Sequence, residues 1–496
     1  MEQQSVARII NSSTVQNHAT MFGGVLTCSL SAAVLIESTF SNNTSGISGG
    51  VICVEQESMV NTARCSFEFN LAGVRGGAIF MSTSTLIVNS SMFSDNGAKN
   101  SSNGTEYSEF AGRFIPKSTT YGGVIFAIQS NISLYAENTF RNNIAGFGGT
   151  IHVFGSIDIP GSSIPGGLCN LNIIKNGFVN NTVEGGVILS FGCYVSDLES
   201  TFQYNEPHSR LARELESEDL GNLSMVIDAV IIAISSLISL NKSCFTSNSA
   251  EIGATLFIVS STITSLSILM RDNNGSIYIQ DSNVTFSGET VIMDCTQLFG
   301  DTLGSGGGIG ARHSMLQFHG TSKLIGNHAE YGGAVHAADS KVYFFGVAEV
   351  AGNSARRAGG AMFLTRSEVS CLGDCNISGN TAKKTGGVIH ALSSTITIKS
   401  MSLGLPNQIS LVSNTAEKGG GLYLQANSRL YILLPLVEST PLQSKLVTFI
   451  NNSAHLDGGA IFVADDTYSD TCLTTTAECF FQVQLDLLMY GLIQSL

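Results

Sequence analysis

Tryptophan is absent from this 496-residue chain, proline occurs only 7 times, and charged residues make up just 12%. That charged share is about half the usual one. With 43% hydrophobic residues, the composition is not that of a disordered chain, because there is enough apolar material to fill a core. Basic residues are the scarcer sign, 24 against 38 acidic, for a net charge of −14. This argues against nucleic acid or an anionic membrane surface as a partner. No CxxC pair occurs among the 11 cysteines, which argues against a zinc ribbon. The most apolar stretch, "MVIDAVIIAISSLISL" from Met225, is short for a membrane span and is interrupted by Asp228. The first twenty residues lack the basic and apolar regions of a signal peptide.

What the chain has in quantity is glycine, 53 residues, many of them in pairs. Taking the second glycine of each pair as an anchor gives Gly24, Gly50, Gly77, Gly123, Gly149, Gly186, Gly307, Gly333, Gly360, Gly387, Gly420 and Gly459. Where they lie closest, the interval is about 26 residues, the mark of stacked units that cannot bury their apolar faces alone. "IGATLFI" and "NGSIYI" are degenerate copies. "VIIAISSLISL" from Val230 aligns without a gap on "VIFAIQSNISL" from Val124, so the apolar stretch reads as another coil, with no transmembrane segment.

Two positions after each anchor stands an aliphatic residue, such as Ile52, Ile79, Ile125, Ile309, Ile389 or Ile461. Strand side chains alternate between faces, so these predict one apolar column inside a tube. A second short β-branched run follows, then Phe-x-x-Asn. Three short strands and three turns per unit predict an all-β, single-stranded parallel β-helix of about fifteen coils of about 26 residues. Helical repeats would need longer amphipathic segments. The structural motif residues are Gly49, Gly50, Gly76, Gly77, Gly122 and Gly123 for the turn, and the pairs Phe40/Asn43, Phe67/Asn70, Phe93/Asn96 and Phe140/Asn143. Glycine accepts φ > 0, phenylalanine plugs the core, and asparagine tolerates the turn and can bond its counterparts in an amide ladder.

The predicted domain layout is a β-helix over 1–463 with loop insertions at 97–120, 155–167 and 206–227, then a non-repeat segment over 464–496. The first repeat is cut at its start, so the N-terminus reads as incomplete. The cysteines of "CLGDC" (Cys371, Cys375) and of "CLTTTAEC" (Cys472, Cys479) could close small disulfide loops or stay as buried thiols. N-x-Ser/Thr sequons are dense. Those at Asn89, Asn100, Asn103, Asn131, Asn222 and Asn376 are glycosylation candidates if a eukaryote secretes the chain, and products of an Asn- and Ser-rich composition otherwise.

The recurrence of "GGA-I" with "F-x-x-N" resembles the repeat of chlamydial polymorphic outer membrane proteins, from about Thr14 to Val463. The resemblance implies a right-handed β-helix displayed at a cell surface and acting in adhesion. The chain departs from that family in lacking length for a C-terminal outer-membrane barrel after Val463. Similar repeats also occur in large eukaryotic surface proteins, which the sequons fit.

An enzyme on such a scaffold would need carboxylates and bases on an outward strand face. The positions three after the anchor are Thr27, Cys53, Phe80, Phe126, His152, Leu189, Ile232, Phe257, His336, Phe363, His390, Tyr423 and Phe462, without an Asp or Glu. This aromatic and histidine stripe reads either as a partner-binding ridge or as a second buried face. No catalytic residue, cofactor or metal site is predicted. The expected function is non-enzymatic, extracellular or cell-surface recognition of an unknown protein or glycan. The alternative is a carbohydrate-active β-helix enzyme with a groove beside the insertions.

Overall fold

A computed structural model describes residues 5–98, 107–110, 113–116, 122–147, 149–155, 169–184, 186–208, 229–297, 306–399, 409–435, 447–464 and 481–486. The insertions 97–120, 155–167 and 206–227 and the segment 464–496 lie largely outside them. So do Asn100, Asn103, Asn222, Cys472 and Cys479. Among the described residues there is no helix. The chain forms two compact units, Met1–Thr264 with Asp272–Tyr278, and Ser265–Arg271 with Ile279–Leu496.

Each unit is a parallel β-helix. In the first, one coil runs through Ile52–Glu55, Met59–Ala63, Ser66–Glu68 and Leu71–Ala72, and the next repeats it through Ile79–Ser82, Thr85–Asn89, Met92–Ser94 and Gly97–Ala98. The strands pair in parallel, with Ile52 opposite Ile79, Val60 opposite Leu86 and Phe67 opposite Phe93. The stretch from Ala229 is a strand in this register, with Ile231 opposite Ile188 and Leu256. No helix among the described residues is long and apolar enough to cross a membrane. In the second unit the coil Met362–Thr365, Glu368–Cys371, Cys375–Ser378 and Thr381–Ala382 stacks on Ile389–Leu392, Thr395–Lys399, Ile409–Val412 and Thr415–Lys418.

The aliphatic column faces inward as expected: Ile52, Ile79, Ile125, Ile309 and Ile389 are all buried. The phenylalanines form a continuous stack in the first unit. Centroids from Phe40 through Phe67, Phe93, Phe140, Phe178 and Phe202 to Phe245 are 4.7–4.9 Å apart. This is the strand-to-strand spacing, so the backbone register brings each ring onto the next. In the second unit, aliphatic residues take that place, and Phe286, Phe318 and Phe344 stack at 4.8 Å in a different column.

The asparagines are one ladder per unit. From Asn17 through Asn43, Asn70, Asn96, Asn143, Asn181, Asn205 and Asn248 to Asn273, each Nδ2 donates to the next Oδ1 at 2.9–3.3 Å. Asn327, Asn353, Asn380, Asn414 and Asn452 do the same at 2.8–3.0 Å. Each inner amide also accepts from a backbone N–H and donates to a carbonyl one coil away, as Asn181 does at Asn143 N and Phe140 O. A fully bonded buried amide is stabilising, whereas one left unpaired is costly.

The turn chemistry differs from the sequence reading. The left-handed residue is the one before the ladder asparagine, as at Asn42, Phe69, Asp95 and Asn142, with φ of 54–55°. The ladder asparagine is kept for its side-chain bonds. The glycine pair also divides its work. Gly49 and Gly76 adopt φ of 65° and 59°, while a Cβ on Gly50 would run into the carbonyl oxygen of Gly77 on the neighbouring coil. The second glycine is there because the coils approach too closely for a side chain.

A serine ladder at another corner went unread. Ser282, Ser314, Ser340, Ser367, Ser394 and Ser428 are joined by backbone N–H to Oγ bonds of 3.0–3.1 Å. In the first unit Cys169 and Cys193 stand in the equivalent row, next to Ser130 and Ser236, and form a disulfide between adjacent coils. Cys371 and Cys375 are free and buried, so "CLGDC" closes no disulfide loop.

Candidate functional site

The outward row begins as backbone alternation. Ile52 and Val54 point into the tube, so Cys53 between them points out, and strand pairing puts Phe80, Phe126, His152, Leu189, Ile232 and Phe257 in line with it. Of the two readings of this row, the second buried face is the one found in the first unit. Cys53, Phe80 and Phe126 form a hydrophobic cluster with Ile128 against it, and His152 is 3% exposed. Burial drives the His152 pKa down to about 3, and the Cys53 thiol is pushed up to about 12 by burial and by Glu55. Neither group carries charge at neutral pH. Here the row is a second core outside the tube.

In the second unit the same row is half open. It runs His336, Phe363, His390, Tyr423, Phe462, opposite one another across four strand pairs. Ring centroids are 5.1, 4.9, 4.8 and 5.2 Å apart, edge-on at the first contact and stacked at the others. His390 is 8% exposed, but Phe363, Tyr423, Phe462 and His336 are only partly buried. Desolvation among the rings lowers His336 and His390 to about 4. Both imidazoles are therefore neutral at physiological pH, and His390 Nδ1 lies 2.8 Å from Thr385 Oγ1.

One edge of this row is cationic. Tyr331 lies 4.9 Å from Phe363, and Arg357 sits 5.6 Å above the Tyr331 ring, bonded to its hydroxyl and paired with Glu330. Lys418 sits 5.4 Å from the Phe462 ring. Cation–π contacts of this kind hold a charge beside an aromatic surface. Arg356, Lys383 and Lys384 on the same edge are exposed and make no ion pair among the described residues. Glu417 and Asp457 are exposed acids of that edge.

The sequence reading missed a polar groove in the first unit. Two adjoining depressions of about 380 and 370 Å³ share Glu137 and Thr139 and are lined by Glu37, Arg64, Lys175 and Glu199 among hydroxyl residues. Its carboxylates are largely engaged. Glu37 pairs with Arg64 at 2.7 Å, and Glu199 with Lys242 at 3.0 Å and Lys175 at 3.6 Å. The lysine contacts hold the Glu199 carboxyl below its ordinary value. Such a group is a poor proton donor at neutral pH.

Elsewhere, no cluster of three or more His, Cys, Asp or Glu among the described residues could hold a metal ion. Of the sequon asparagines, Asn89, Asn131 and Asn376 are exposed, whereas Asn43 is locked in the ladder. The motif residues Gly49, Gly50, Phe40, Asn43 and their equivalents all lie in turns or core.

The Chlamydia polymorphic membrane protein repeat matches at residues 37–55 and 446–464, once in each unit. Both matches span a Phe-x-x-Asn, the following glycine pair and the first residues of the next strand. The parallel β-structure is consistent with that repeat. No curated protein matches the chain.

Proposed function

From a chain that carries the polymorphic membrane protein repeat, we propose a non-enzymatic extracellular or cell-surface protein that works in adhesion or surface recognition. The observation that supports it best is the half-open aromatic row of the second unit, free of Asp and Glu along its length. Exposed aromatic residues supply much of the energy of recognition surfaces. Stacked one per coil, they form a continuous strip rather than a pocket, suited to an extended partner.

The experiment is binding of the purified chain to host or neighbouring cells, compared with Phe363→Ala/Tyr423→Ala. Loss of binding by a folded variant supports the reading. Full binding by that variant removes the row from it, and absence of binding by the native chain removes the reading.

The groove between Glu37 and Glu199 keeps a carbohydrate-active reading in view, because carboxylates do line it. With Glu199 held ionised, the expected result is no release of reducing or unsaturated ends from acidic or neutral polysaccharides. Release abolished by Glu137→Gln or Glu199→Gln would establish the enzyme instead. Asn89, Asn131 and Asn376 are the proposed acceptors if the chain is glycosylated, read as a mass shift on glycosidase treatment of secreted protein.

A further inference from the structure

Two features meet along one edge of the second unit. The ring row offers a flat apolar face at one ring per coil. Beside it, in the coils at 354–358 and 381–385, stand Arg356, Arg357, Lys383 and Lys384. The strands bearing them are bonded directly, Lys384 N to Arg357 O at 2.9 Å and Lys418 N to Lys384 O at 2.9 Å, so the cations succeed one another coil by coil. Arg357 and Lys418 are paired, with Glu330 and Asp457, and Glu417 stands exposed on the same edge in the next coil, while Arg356, Lys383 and Lys384 make no ion pair among the described residues. This concentration is out of keeping with a chain of net charge −14. Two of the edge cations lie over rings, Arg357 over Tyr331 and Lys418 over Phe462.

We propose that this edge binds an acidic polysaccharide running along the stack of coils, with the sugar faces on Phe363, Tyr423 and Phe462 and the anionic substituents toward Arg356, Lys383 and Lys384. The proposal rests on the recognition reading above and names its ligand class. Aromatic faces take the apolar face of a pyranose, arginine takes carboxylate or sulfate in a fork, and lysine takes either as a point charge. The surface offers a ring at each coil from His336 to Phe462 and unpaired cations in the two coils of Phe363 and His390, a pattern that an extended polymer of sugar rings carrying anions can follow. His336 and His390 are neutral above about pH 4, so the row adds no charge of its own at neutral pH.

The test is titration calorimetry of the full chain with four polymers: heparin (sulfated), polygalacturonate (carboxylated), dextran (neutral) and poly-glutamate (charged, without sugar). The expected result is binding to at least one acidic polysaccharide, weakened by added salt, with none to dextran or poly-glutamate. Whether heparin or polygalacturonate binds identifies the anion. Lys383→Glu/Lys384→Glu, exposed positions whose variant should fold, should lose tenfold or more in affinity. Tyr423→Ala should lose affinity while keeping the salt dependence. Binding unaffected by the lysine variant, equal binding of poly-glutamate or dextran, or no binding of either acidic polysaccharide overturns the proposal. Cell binding that persists when both acidic polysaccharides fail would leave the recognition reading standing with a protein partner. Loss of both would end both.

Discussion

The two units place aromatic and histidine residues in the same row of the same repeat, and they do opposite things with it. In the first, Phe80, Phe126 and His152 are buried, and the row is core. In the second, Phe363, Tyr423 and Phe462 are partly exposed and edged by Arg357 and Lys418. Inside the tube the units agree, with an aliphatic column and a closed asparagine ladder in each. The repeat therefore specifies the coil, while the outward row and its flanking residues decide whether a coil is buried or presents a surface.

That comparison can be broken from either side. The largest effect is expected at the inward column. Ile389→Asp puts a carboxylate among Met362 and Leu422, at a cost of several kcal/mol or with forced protonation. His390→Asp should also destabilise, because its site is buried between Phe363 and Tyr423, but by less, since the open row gives a charge a route to water. Thermal melts with limited proteolysis rank the two. A larger effect at His390 would mean that the faces are reversed.

Next in size is the ladder. Asn181→Ala and Asn380→Ala each strip a buried amide from bonds on both sides, and each should cost about 2–5 kcal/mol. The two should be alike, because the ladder is common to both units. A cost near zero in one unit, read in denaturant melts, would show that the interiors differ too.

A smaller, pH-dependent effect belongs to the first unit alone. Asp197 lies in a second inward-facing column, on the next strand of the coil, between Ile173 and Leu240, bonded to Ser243. Burial raises its carboxyl to about 6 from an ordinary 3.8. The protonated form is the stable one, so its contribution is full below about pH 3.8 and is lost as pH rises through 6. Asp197→Asn should therefore stabilise the unit at pH 8, by at most about 3 kcal/mol, with the gain vanishing below pH 4. A pH-independent gain would place the carboxylate in water.

His336 and His390 give the opposite sign in the second unit. Their folded pKa values near 4 lie below the ordinary 6.5. Stability is full above pH 6.5 and falls as pH drops toward 4. His390→Gln should flatten that slope in melts taken between pH 7 and 4.

The coil was legible in the sequence because its physics is local and repeated. Ile389 recurs as an aliphatic at every anchor, and Asn380 as an amide at the same corner of nearly every coil, with Cys295 in its place once, so period alone fixed both. The turn residue was misplaced because the left-handed position carries no fixed residue type: Asn42, Phe69 and Asp95 all occupy it. The Cys169–Cys193 disulfide had a signal that went unused, since both cysteines stand where neighbouring coils have the ladder serines Ser130 and Ser236. What covers a row carries no period, and that is why Phe126 and Tyr423 looked equivalent. The basic edge was hidden by an acidic average, because Arg356, Arg357, Lys383 and Lys384 gather only when two coils are stacked.

The most direct test of the difference between the units is one pair of substitutions, Phe126→Ala and Tyr423→Ala, each measured for unfolding free energy and for binding to cells. Phe126→Ala should cost about 3–5 kcal/mol, as a fully buried ring does, and leave binding unchanged while the chain stays folded. Tyr423→Ala should cost less than about half of that and abolish or sharply weaken binding. Equal destabilisation by the two, with binding untouched by Tyr423→Ala, would mean that the second row is core like the first.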